Sequence, residues 1–99
     1  MNLVIDLETG RWWAAKLEEE AGHWWLVMWE PSGQHLTAYF RGHWQVGGVY
    51  RMGRTPHELW ERMRETQAEA RRWAEAKAER VPVPPLLLEL PDALWRAAG

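Results

Sequence analysis

Two carboxylates stand two positions apart at Asp6 and Glu8, where the run NLVIDLETG passes from apolar to polar residues. Carboxylates after an apolar strand can hold a divalent cation that activates water for hydrolysis. Two-metal hydrolysis needs several such groups converging on ions about 3.5–4 Å apart, with a base to take the proton. After Glu8 the next aspartate is Asp92. Glu8-Thr9-Gly10 also makes a sensible turn between two strands, which accounts for the run without a metal.

The run resembles the first metal-binding motif of the DEDD-type 3′–5′ exonucleases. That family's chemistry takes four carboxylates on a βαβ framework, which 99 residues do not accommodate here. The other reactive residue types are equally sparse. His23, His35, His43 and His57 form no helical HxxxH or HExxH pair. The first three could converge on one edge of a sheet, but no carboxylates accompany them at ligand spacing. Ser32 is the sole serine and lies in a Pro-Ser-Gly turn, and cysteine is absent. Residues 47–53, GGVYRMG, lack the Lys-Ser/Thr of a phosphate loop. The expectation is a protein that is not an enzyme, with no catalytic residue, no metal and no cofactor.

Aromatic and basic residues offer a different chemistry. Arg11, Arg41, Arg51 and Arg54 interleave with Trp12, Trp13, Phe40, Trp44 and Tyr50. Rings that stack bases beside guanidiniums that meet phosphates would suit single-stranded nucleic acid. Glu18, Glu19, Glu20 and Glu30 oppose that field, and the net charge of −2 gives no basic stripe. Arg11, Trp12, Trp24, Arg41, Trp44 and Arg51 are the candidate contact residues, for a protein partner or for single-stranded nucleic acid.

The elements that would position them read as α+β. An antiparallel meander of four to five strands covers residues 2–51: NLVIDL at 2–7, RWWAAKL at 11–17, HWWLVMWE at 23–30, HLTAYFR at 35–41 and about 44–51. Pro31-Ser32-Gly33-Gln34 is a turn by composition. The period then lengthens. Thr55 as N-cap, Pro56 at the first helical position and Glu58 three residues after the cap start one long helix over 55–80. Its apolar stripe is Leu59, Trp60, Met63, Ala70, Trp73 and Ala74. At about 1.5 Å per residue it outruns strands of roughly 20 Å. Val81-Pro82-Val83-Pro84-Pro85 is a Pro-rich extended exit, Leu86–Leu90 a possible further strand, and Pro91-Asp92 the start of a short terminal helix. All 99 residues read as a single small domain.

Both faces of the strand at 23–30 are apolar, Trp25, Val27 and Trp29 on one and Trp24, Leu26 and Met28 on the other. A half-buried strand is polar on one face. One helix covers one face only. The second is left for residues 86–98, for a second copy in a homodimer, or for a ligand on an aromatic platform.

Met52-Gly53-Arg54-Thr55-Pro56-His57-Glu58-Leu59 resembles the HicB-like antitoxin family, in which a strand leads through Gly-x-Thr-x-x-Glu-Ala into a helix and a Pro-containing exit. The likeness spans residues 52–90. It implies a small β-β-β-α-β fold, dimers, and neutralisation of a small basic toxin by protein contact. Strands followed by one helix are also similar to the Whirly-type single-strand-binding fold.

Ten arginines against two lysines, with one Asn and one Ser, fit a thermophile-like composition, although a GC-rich genome gives much the same bias. No apolar run reaches a membrane span, no basic leader precedes Asp6, and a cytoplasmic location is expected.

Overall fold

In the computed structural model, residues 6–42, 44, 48–76, 84–91 and 93–94 are described. They form α1 (Leu7–Glu20), β1 (Trp25–Glu30), β2 (His35–Phe40), β3 (Tyr50–Gly53) and α2 (Pro56–Ala76). The class is α+β, with one antiparallel three-stranded sheet in the order β1-β2-β3.

The expected strand over residues 11–17 is helix α1 instead, and the expected first strand at 2–7 lies almost wholly outside the described residues. The competing period explains the change. Gly10, Trp13, Ala14 and Leu17 are buried, followed by Ala21, a spacing of three or four that makes one helical stripe. Alternation through Trp12–Leu17 can be read from the same letters, but the caps favour the helix. The Asp6 carboxylate accepts the Thr9 N–H at 2.7 Å, and Glu8 lies in the first turn. At the other end Gly22 has φ +68°, and its N–H donates to the Glu19 carbonyl. Gly10 sits inside this helix because the Trp29 ring lies on it. A Cβ there would come within 2.6 Å of three ring atoms.

Strands β1 and β2 pair in register, Trp25 opposite Phe40 and Trp29 opposite Leu36, and Leu36 faces Gly53 across to β3. The turn at residues 31–34 is as expected, closed by the Gln34 N–H on the Pro31 carbonyl at 3.3 Å. Trp25, Val27, Trp29, Leu36, Ala38 and Phe40 point to the face that α1 and α2 cover. The outer edge of β1 is tied to α1 by the Glu18 carboxylate, which accepts the Val27 N–H at 3.0 Å. Gly53 brings β3 against the start of α2, and a Cβ there would sit 2.6 Å from the Leu59 nitrogen.

Helix α2 begins as expected, with the Thr55 hydroxyl accepting the Glu58 N–H at 3.1 Å. It is buried on two sides. Leu59 and Met63 belong to the sheet-side core, while the Trp60 indole donates to the Leu87 carbonyl at 3.1 Å. The segment 84–90 therefore lies along α2 in irregular conformation, not as the strand expected at 86–90. Gln67, fully buried, joins three elements. Its side-chain carbonyl accepts the Trp25 indole N–H at 2.8 Å, and its amide donates to the Pro84 carbonyl.

Replacing Gln67 by Ala leaves the buried Trp25 indole without its acceptor and releases Pro84. A cost of about 1–3 kcal/mol is expected, measurable as a lowered midpoint in urea unfolding. An unchanged midpoint would remove Gln67 from the account.

Candidate interaction surface

The face of the sheet away from the helices carries Leu26 and Met28 from β1, His35, Thr37 and Tyr39 from β2, and Tyr50 and Met52 from β3, with Glu30 at its rim. Register places these side chains in rows: Leu26, Tyr39 and Tyr50 in one, Met28, Thr37 and Met52 in the next. Leu26 is 40% exposed, Met28 43%, Tyr39 41%, Tyr50 55% and Met52 45%, high values for apolar side chains. The two tyrosine rings lie 5.8 Å apart at 37°. Thr37, small and central, is buried between the two methionine positions of its row. No described residue covers this face. Of residues 86–98, one cover expected from the sequence, 86–90 lie on α2, and 92 and 95–98 fall outside the described residues. The eight positions include neither lysine nor arginine, so Glu30 and His35 are the ionisable side chains besides the two phenols.

The candidate contact residues fall elsewhere, in three separate groups. Trp24 lies just before β1, half-buried, its ring stacked on Phe40 at 6.2 Å. Trp44 meets the same Phe40 edge-on at 6.2 Å, and the Arg41 N–H donates to the Trp24 carbonyl at 2.8 Å, at the end of the β1–β2 pair away from its turn. The Arg41 guanidinium donates to the His23 carbonyl at 3.3 Å and approaches Glu18 at 3.9 Å. Arg11 and Trp12 ride on α1, where Trp12 packs against Trp13 at 5.2 Å and under the Lys16 ammonium at 5.8 Å. Arg51 faces α2, its Nε donating to the Thr66 hydroxyl at 2.8 Å. Trp24 was expected on the second face beside Leu26 and Met28. His23, with φ 63°, breaks the extended chain just before it, and the ring turns to the core side.

The sequence gives Tyr39 and Met52 no contact role, and names Tyr50 only among the aromatics beside the arginines. Their signal is the alternation within β2 and β3, visible once the three strands are set in register.

Asp6, the first candidate metal ligand, caps α1. Hydrogen bonds from the Thr9 N–H and hydroxyl hold its carboxyl below the usual carboxylate range. Among the described residues no three His, Asp or Glu side chains gather in a metal-sized group. No described helix is long and apolar enough to cross a membrane.

Because the folded value of Asp6 lies below the unfolded one, its contribution is fully present above the ordinary carboxylate range. It is lost as pH falls through the lowered value. Asp6→Ala should therefore lower the thermal midpoint at pH 7, and the gap to the parent protein should close in acid. A gap that stays constant to pH 2 would mean that the carboxylate charge contributes nothing.

No protein-family model, curated protein or solved structure matches the chain.

Proposed function

We propose that the protein is a non-enzymatic protein–protein interaction module that self-associates through the open face of its sheet. One observation carries this reading: five large apolar side chains share a face that no described residue covers and whose described positions include no arginine or lysine. Apolar patches of this kind mark interaction sites in soluble proteins. A face with almost no charge meets its own copy without like-charge repulsion, and two sheets stack about 10 Å apart with side chains interdigitated.

Area sets the strength. At about 200 Å² for a fully exposed large side chain, the five present on the order of 450 Å² per copy. A standard interface takes about 800 Å² per partner. The homodimer is accordingly a weak one, in exchange with monomer.

The likeness of residues 52–90 to HicB-like antitoxins extends the reading to a heterologous partner, a small basic toxin. Three antiparallel strands leading through a Thr-capped turn into one long helix support it. Helix α1 before the strands and the irregular segment after α2 do not belong to that family's order. A platform for single-stranded nucleic acid is the weaker reading, because the open face offers stacking rings but no guanidinium for phosphate.

Light scattering should show a mass that rises from monomer toward dimer with concentration. Met28→Glu, at a 43% exposed position, should hold the mass at monomer with the far-UV dichroism unchanged. A parent protein that stays monomeric at millimolar concentration would contradict the proposal.

A further inference from the structure

The outer edge of β3 is a second surface, bordering the open face along Tyr50 and Met52. The Phe40 N–H donates to the Val49 carbonyl at 3.0 Å, which fixes the phase of the ladder. Residues 49, 51 and 53 turn their backbone groups to β2, and Tyr50 and Met52 turn theirs outward. Both outward carbonyls are occupied by arginines. Arg51 donates to the Tyr50 carbonyl at 3.0 Å, and Arg62, reaching over from α2, donates to the Met52 carbonyl. The outward N–H groups of the same two residues have no acceptor among the described residues. A shallow concavity of about 500 Å³ runs along this edge, and a second of about 350 Å³ rounds its end toward Gly33 and His35; the two share Met52 and Arg62. Arg51, Arg54 and Arg62 line them with one carboxylate, Glu58, which pairs with Arg62 at 3.0 Å. Positive charge is thus concentrated here in a chain whose net charge is −2.

We propose that this edge binds an extended acidic peptide segment as a fourth strand. The incoming chain accepts hydrogen bonds from the Tyr50 and Met52 N–H groups. Its own N–H groups take over the two outward carbonyls, as in strand addition to other sheet edges. That releases the Arg51 and Arg62 guanidiniums, which pair with carboxylates of the segment in charge-assisted hydrogen bonds. The guanidiniums therefore cap the edge while it is empty and hold the ligand once it is filled. Strand geometry also fixes the pattern of the ligand. Arg51 lies on the α2 side of the sheet, whereas Tyr50 and Met52 lie on the open side. Alternate residues of the segment are therefore acidic toward α2 and apolar toward Tyr50 and Met52.

The test uses a fluorescently labelled octapeptide alternating Glu and Val, with a Lys/Val peptide as control. The acidic peptide should bind saturably by anisotropy, several-fold more weakly as salt rises from about 50 to 200 mM. Bound peptide should slow amide exchange at Tyr50 and Met52. Arg62→Glu should weaken binding at least tenfold, and Arg54→Glu, at an exposed position with little to lose in folding, should weaken it as well. Met28→Glu, which abolishes self-association through the open face, should bind the peptide as the parent does, so the two surfaces fail separately. Absent binding, equal binding of the Lys/Val peptide, or unprotected amides at Tyr50 and Met52 would each overturn the proposal. So would tighter binding of a single-stranded oligonucleotide at the same edge.

Discussion

The hydrogen bond from the Trp25 indole to Gln67, 2.8 Å long and fully buried, ties the first strand to the second helix across 42 positions of chain. Either group alone would be a buried polar atom without a partner, so each makes the other tolerable in the core. The other end of the same amide holds Pro84 and thereby draws the exit segment along α2. Once 84–90 is committed there, it no longer lies over the far side of the sheet. One buried glutamine thus connects the packing of the core to the exposure of the open face.

The asymmetry of the sheet follows. Both helices lie on one face, where three tryptophans and Phe40 are clustered around small residues, Gly10 and Ala38, that let the rings approach closely. Edges are handled by side chains. Glu18 occupies a donor of β1, and Arg51 and Arg62 occupy acceptors of β3. Charged groups placed on an edge discourage indiscriminate pairing with other chains. On the proposed reading, association is directed to the open face, which is apolar, and to partners able to exchange with the two arginines.

Much of this was legible in the sequence where one period dominated. The strands at 25–30 and 35–40, the turn between them and the capped start of α2 each have a local cause. Helix α1 was hidden because Trp12 to Leu17 fit a period of two nearly as well as one of 3.6, and the deciding features, the Asp6 cap and Gly22, read equally well as turns. Gln67 lies four residues after Met63 and three before Ala70, squarely on the apolar stripe, yet a polar residue there gives no sign of what it will bond across the core. The doubled apolar faces of β1 pointed to a second face in need of a cover, which no described residue supplies. Its tyrosines could be placed only with the register, since nothing within β2 or β3 alone says which alternate set the helices will cover.

The central claim is that the far side of the sheet is open in the monomer and closed by a second copy. Methionine oxidation by dilute peroxide, read by peptide mass spectrometry, tests it directly. Met28 and Met52 are 43% and 45% exposed, and Met63 is fully buried. At low protein concentration the first two should oxidise quickly and Met63 slowly, and at high concentration Met28 and Met52 should become protected. Slow oxidation of Met28 and Met52 at every concentration would show the face covered by the chain itself. Equally fast oxidation at both concentrations would show that no second copy binds there.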